Sequence, residues 1–380
     1  MSTMIPSPAP SQDLGGLPAD MLPRMEEEAL RVRSLIGRKP RRVLIIGGAG
    51  YVGGPLTMRL LRAGYHVRNL DLLVYGHGAA MTGYLTHPLY EFIHGDLCSA
   101  QVLDRALEDV SDVIMLAGLV GDPVTTQYPD ESRAINDIGI RSCIERLNGR
   151  GLNKVIFVST CSNYGMIPED ELAAENHALT PLSLYAHAKV AVEQNILALK
   201  GTTDYHPTIL RFATAFGLAP RMRFDLTVNQ FVRDFYLYRK CDVYDAETWR
   251  PYCHVKDFAS VMARVLGFPA SEVSFEIFNV GGDVNNHTKQ SIAELICRRL
   301  PGSRITYKEN RRDRRNYKVS FQKLRSKLYF EPSHTVADGI DEIIWGLQSH
   351  LFDNVDCTPS YYGNYEVKYA WAQREGLIAS

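Results

Sequence analysis

From residue 42 onward, short apolar runs rich in β-branched side chains alternate with longer stretches in which apolar residues recur every three or four positions. The runs at 43–46, 67–73, 92–96, 113–116, 155–158 and 208–212 read as strands, and 55–63, 100–108, 131–147 and 182–199 as amphipathic helices. Strands apolar on both faces and joined through helices predict a parallel sheet covered on both sides, a doubly wound α/β arrangement. Past Gly217 the regularity weakens. A charged loop at 220–225 precedes helices at 226–238 and 254–267, a strand at 275–282, and helices at 288–300 and 336–351, with a basic stretch at 304–315. This half predicts a smaller α+β lobe above the carboxyl ends of the sheet.

The division that follows is 1–40 for an N-terminal tail and helical arm, 41–217 for the sheet domain, 218–350 for the second lobe, and 351–380 for a C-terminal tail. Within the second lobe, 250–267 is expected to return partly to the sheet domain. Residues 1–19 read as flexible, and 21–36, with Leu22, Met25, Leu30 and Ile36 among charges, as an arm packed on the body or on a partner subunit.

Composition narrows the function classes. Apolar residues are 45% and charged residues 22%, so the 380-residue chain is globular. Forty-two Lys+Arg against 43 Asp+Glu give a net charge of −1, which leaves no footprint for nucleic acid or an anionic membrane; any phosphate must be held locally. The apolar run at 113–120 is far shorter than the about 18 residues that span a bilayer. The first 17 residues lack a basic start and an apolar core, so no signal peptide is expected. Seven scattered cysteines without a CxxC predict neither a disulfide framework nor a metal site, and a cytoplasmic location.

The strongest local signal is the glycine loop between the first strand and helix, Gly47-Gly-Ala-Gly50-Tyr51-Val52-Gly53. Gly47 permits the tight turn, Gly50 lets the backbone approach a pyrophosphate, and Gly53 lets the helix pack closely. The helix N-terminus offers free N–H groups to phosphates. Asp71, 18 residues past Gly53 at the end of the next strand, can accept from both ribose hydroxyls and would repel a 2′-phosphate. That favours NAD over NADP. Arg68 is read as a solvated strand position.

Opposite a nicotinamide, Tyr185 and Lys189 fall at i, i+4 on one helix face, about 5–6 Å apart at Cβ. The same spacing recurs at Tyr236/Lys240 and Tyr252/Lys256, so context decides. Tyr185 alone follows a buried strand ending in hydroxyls, Ser159-Thr160-Cys161-Ser162, and opens a helix after Pro181 and Ser183. A free phenol, pKa about 10, is a poor base at neutral pH. A neighbouring ammonium and the cationic nicotinamide would favour the phenolate, Thr160 would hold the same oxygen, and Lys189 would also hold the nicotinamide ribose.

Together with Gly95-Asp96-Leu97, Leu116-Ala117-Gly118 and Phe278-Asn-Val-Gly281, these motifs resemble the extended short-chain dehydrogenase/reductase family, the NAD-dependent nucleotide-sugar epimerases and dehydratases, over about residues 42–351. The resemblance implies a Rossmann-type domain, a C-terminal nucleotide-sugar lobe, and a homodimer through the helices at 131–147 and 182–199. It assigns Gly47, Gly50, Tyr51, Val52, Gly53, Asp71, Asp96, Leu97, Ala117, Gly118, Asn136, Tyr185, Lys189 and Ala213 to the NAD site. Thr160, Thr214, Asn229, Arg250 and Arg315 fall to the substrate site. Arg250 precedes His254-Val-Lys-Asp257, and Arg315 lies in Asp313-Arg-Arg315-Asn-Tyr317; both resemble family segments that hold the substrate diphosphate, a task suited to bidentate guanidinium. Arg311, Arg312 and Arg314 read as a solvated face and His254 as structural.

Two departures refine the reading. Dehydratases of the family carry Asp-Glu after the catalytic hydroxyl residue, where this chain has Cys161-Ser162, which disfavours dehydration; Cys161 is read as a small buried hydrophobe. Thr214 stands where an asparagine is usual, and the 220–225 loop with Asn229 is the segment that would compensate. The expected activity is nucleotide-sugar 4-epimerisation through a 4-keto intermediate. The alternatives are a 4-dehydrogenase that releases the keto sugar, and a non-catalytic cofactor-binding protein.

Overall fold

In the strand Arg42–Ile46 (β1), Val43 and Ile45 bury into one hydrophobic layer and Leu44 and Ile46 into the opposite one, as a strand covered on both faces requires. The computed structural model describes residues 16–37, 39–309 and 315–369. Most of the expected N-terminal tail, and Arg311, Arg312, Asp313 and Arg314, lie outside the described residues.

After β1 come His66–Asp71 (β2), Tyr90–His94 (β3), Asp112–Met115 (β4), Lys154–Thr160 (β5) and His206–Phe212 (β6), which match the predicted runs. Thr214–Phe216 (β7), Lys240–Tyr244 (β8), Trp249–His254 (β9), Glu276–Val280 (β10), Asn286–Thr288 (β11) and Arg304–Lys308 (β12) follow. The main sheet is parallel with order β10-β6-β5-β4-β1-β2-β3. Strand order reverses beside β1, between β2 and β4, and this switch point opens a crevice at the carboxyl ends.

The second lobe is smaller than expected. β10, assigned to it from its place in the sequence, pairs in parallel with β6 as the edge of the main sheet. The helix Val255–Gly267 buries Phe258, Val261 and Val265 in the same layer as Leu56 and Leu60 of the helix Gly53–Arg62. The whole stretch 255–280 therefore returns to the sheet domain. The lobe itself carries the sheets β11-β9-β7 and β12-β8, and β12 occupies part of the basic stretch that had no predicted structure. The predicted helix at 131–147 is present as one continuous helical stretch, Pro129–Arg133, a wider π segment at Ala134–Gly139, and Ile140–Glu145.

The arm Met21–Ile36 lies on this chain's own body. Met21 and Val32 are buried, and Glu28 reaches Lys154 Nζ at 3.1 Å, a lysine with no exposed surface at the start of β5. Burial works against ionisation of Glu28, but hydrogen bonds and charge from Arg31 and Lys154 bring its carboxyl down to about 2. Glu342 in the helix Val336–Gln348 behaves alike: burial opposes ionisation, while His254, the Leu218 N–H and Lys256 bring it to about 2. A depressed carboxylate stabilises the fold fully above its unfolded value, about 4.5, and the gain is lost as pH falls through the folded value. Each group is worth at most about 3 kcal/mol. Urea unfolding should thus show stability falling steeply between about pH 4.5 and 2, with a shallower fall in Glu342→Gln.

Candidate active site

The loop leaving β1 runs under the crevice. Gly47 has φ +85°, and a Cβ there would stand 2.6 Å from the Ala117 nitrogen, so glycine alone lets the chain turn against the segment after β4. A Cβ on Gly53 would collide with the Gly48 carbonyl; the close packing is of the helix on its own loop. Asp71 closes the other side of this loop, its Oδ2 accepting from Ala49 N at 3.0 Å and Oδ1 from Leu73 N at 2.8 Å. Burial pushes its carboxyl up, and those two N–H groups oppose the shift.

These groups face a cavity of about 570 Å³. The structure brings together around it Gly47, Gly50, Tyr51, Val52, Gly53, Asp71, Asp96, Leu97, Ala117, Gly118, Thr160, Tyr185, Lys189, Ala213, Thr214, Arg250 and Arg315. Asn136 and Asn229, both expected to touch a ligand, stand behind the wall. Asn136 is fully buried in the π turn and grips the Leu119 backbone, accepting from its N at 2.8 Å and donating to its O at 2.9 Å. Asn229 accepts from Gly217 N at 3.1 Å and donates to the Tyr51 hydroxyl at 3.0 Å and the Arg223 carbonyl at 2.9 Å. With their polar ends committed to the wall, both position the loops that line the cavity.

The three chemical residues arrive on two elements. Thr160 ends β5, its Oγ1 accepting from Ser162 N at 3.1 Å. Ser183 caps the helix Leu184–Ala198, which carries Tyr185 and Lys189. Lys189 Nζ donates to the Val158 carbonyl at 2.8 Å and lies 5.8 Å from the Tyr185 ring centre. Burial pushes Tyr185 well above the usual phenol range, and the charge that opposes this most is Arg223 rather than Lys189. Burial likewise brings Lys189 down to about 8, with Glu193 opposing. In the protein's own field, before any contribution from the cationic nicotinamide, burial outweighs the neighbouring charges at Tyr185.

Arg223 and Arg221 were missed as site residues. Both are buried and line the cavity, on a loop whose alternate residues Met222 and Phe224 sit in the core. That Arg-Met-Arg-Phe alternation was the legible signal. Arg223 is paired with Asp225, Nε to Oδ1 at 3.0 Å. Arg315 pairs with Asp122, which opens the helix Asp122–Gln127 after β4, at 2.7 Å and reaches Ser162 Oγ at 3.4 Å, and Arg250 donates to the Arg315 carbonyl. Arg68 is no solvated position: it is buried, donating to Glu91 at 2.8 Å and to the Ala106 and Glu108 carbonyls at 2.8 and 2.7 Å. Cys161 is buried, its thiol donating to the Arg211 carbonyl at 3.2 Å. His254 is structural as expected, buried with Nε2 2.8 Å from Glu342. Among the described residues there is no His/Cys/Asp/Glu cluster fit for a metal, and no helix is long and apolar enough to cross a membrane.

Residues 43–281 match the NAD dependent epimerase/dehydratase family. The chain belongs to it. NAD is the cofactor of this epimerase/dehydratase family member, and the glycine turn, the carboxylate of Asp71 and the crevice between them fit a dinucleotide. The UDP-glucose 4-epimerase of Halalkalibacterium halodurans is 25% identical over 325 residues, covering 80% of this chain and 94% of the relative. The dTDP-glucose 4,6-dehydratase of Actinoplanes sp. is 24% identical over 315 residues, covering 80% and 96%. In fold, the chain is similar to the UDP-glucose 4-epimerase of Thermotoga maritima, solved with UDP-glucose, with TM-score 0.73, 22% identity, and 82% and 99% of the two chains covered. The family makes the chain an NAD-dependent member of the epimerases and dehydratases.

Proposed function

We propose that this protein is a nucleotide-sugar 4-epimerase. Tyr185 takes the proton of the sugar C4 hydroxyl, Thr160 holds the same oxygen in line, and Lys189 holds the nicotinamide ribose. Bound NAD supplies the acceptance and return of hydride. Arg250 and Arg315 hold the substrate diphosphate, and Thr214 lines its path. The observation that carries the choice of epimerisation is the pair after Thr160. Cys161 points its thiol at a backbone carbonyl, and the Ser162 hydroxyl meets, among the described residues, the Tyr317 hydroxyl, 3.3 Å away, and Arg315. Neither is an acid–base pair for removing water from the sugar.

A homodimer through the helices at 131–147 and 182–199 is part of this reading, supported by Ile138 and Leu184, 52% and 55% exposed on those segments. Incubating the purified protein with UDP-, GDP-, dTDP- and ADP-hexoses, with no NAD added, tests the activity. C4 epimers of at least one donor are expected. Formation of a 4-keto-6-deoxy sugar, or no product from any donor, would contradict it.

A further inference from the structure

We propose that residues 355–369 form a strap across the dinucleotide end of the crevice, and that Arg221, which the strap holds, contacts the diphosphate of bound NAD. The proposal rests on NAD lying along the glycine loop with its adenosine ribose at Asp71. The strap was expected to be no more than a C-terminal tail, yet Val355, Tyr362, Asn364 and Tyr369 are buried.

Its hydrogen bonds join the two halves of the molecule over the opening. Asn364 Nδ2 donates to the Val120 carbonyl after β4 at 3.0 Å, and Lys368 N donates to the Val74 carbonyl after β2 at 2.9 Å. On the second-lobe side, Phe224 N donates to the Tyr362 carbonyl at 2.7 Å. Arg221 Nη2 donates to Asn364 Oδ1 at 2.7 Å and to the Gly363 carbonyl at 3.3 Å. The guanidinium then lies 4.6 Å over the ring of Tyr75.

Arg221 is fixed in place but not neutralised. Its nearest acidic loop-mate, Asp225, gives both carboxylate oxygens to Arg223, and Asp71 gives both of its own to backbone N–H groups. Arg221 Nε is buried with no hydrogen-bond partner among the described residues. Burial and the adjacent Arg223 lower it to about 10, the direction expected of a cation that lacks its anion. An anionic ligand would supply the missing charge through charge-assisted hydrogen bonds.

Position selects which anion. Arg221 stands with Tyr75 and within the electrostatic reach of Asp71 and His77, at the β2 side of the crevice. Arg315 stands by Ser162 and Asp122, with Arg250 behind it, on the β4 and β5 side. A cofactor and a sugar nucleotide bring two diphosphates, and the cavity is lined by arginines from two segments, 221–223 and 250 with 315.

The test loads wild type, Arg221→Gln, Arg221→Lys and Asn364→Ala with NAD, desalts them, and follows retained nucleotide by chromatography of the heat-released pool. Melting without added nucleotide reports folding, and calorimetry with UDP and with NADP reports the other anions. NAD should leave Arg221→Gln about tenfold faster or more, with a smaller acceleration in Asn364→Ala, partial rescue in Arg221→Lys and unchanged UDP affinity. If Arg221→Gln fails to fold, Asn364→Ala carries the measurement. Unchanged NAD release from folded variants would overturn the proposal. So would loss of UDP instead of NAD, which moves Arg221 to the substrate, or loss of NADP alone, which makes it a 2′-phosphate reader. A wild type that binds no NAD at all would instead sink the cofactor placement on which the proposal rests.

Discussion

Tyr185→Phe should lower kcat for the preferred sugar nucleotide by about 10³-fold while leaving bound NAD and the melting temperature unchanged, the range expected when a positioned general base is removed. The substitution deletes one oxygen from a side chain that is already 9% exposed, so the helix Leu184–Ala198 keeps its packing. The effect has a pH signature. Burial favours the neutral phenol, so the wild-type rate should climb with pH through the neutral range as the phenolate becomes accessible; the residual rate of the variant should not. Steady-state kinetics across pH, with NAD content measured on the same samples, checks both. A Phe variant within tenfold of wild type would remove Tyr185 from the chemistry.

The second large effect is on stability. Glu193→Ala should destabilise the fold by about 3–5 kcal/mol in urea unfolding, because it strands a buried charge. Glu193 and Arg211 are both nearly inaccessible, with Arg211 Nη2 2.7 Å from Oε2 and Nε 3.1 Å from both carboxylate oxygens. The carboxylate also accepts from Asn163 Nδ2 at 2.8 Å and from the Ser159 hydroxyl. Arg211 goes on to the Tyr164 hydroxyl, which donates to Asn279 at 2.8 Å. The network ties β5, β6 and β10 to the helix that carries Lys189, one turn before Glu193. Loss of stability should therefore come with loss of activity. Glu193→Gln, which keeps hydrogen-bonding capacity, should cost less than Glu193→Ala.

Where local pattern and tertiary position agree, the chain was legible. β1 and β4 to β6 are buried on both faces and set among helical periodicity, and the glycine loop needs a backbone freedom that its own residues display. Tyr185 was singled out among three equal spacings because Pro181, Ser183 and the hydroxyl-ended strand supplied context. Legibility failed where long-range position decides. β10 has the same apolar signature as its neighbours, but nothing local says that it returns to β6 after a whole lobe. Asn136 and Asn229 have the right chemistry for ligands, and only the structure shows their amides used on Leu119, Gly217 and Arg223. Arg221 and Arg223 lie in a loop read as charged and as compensating for Thr214, without either arginine being named, although Met222 and Phe224 beside them place both guanidinium groups on the cavity side. The strap was invisible because its partners, Val74 and Val120, lie on distant loops.

Oxidation and re-reduction at a single carbon can be followed with a sugar nucleotide deuterated at C4, turned over in ordinary water and read by NMR and mass spectrometry. The expected product is the inverted epimer with deuterium still at C4. Deuterium at C6 of a product lighter by one water, or carried off in released NADH, would contradict it.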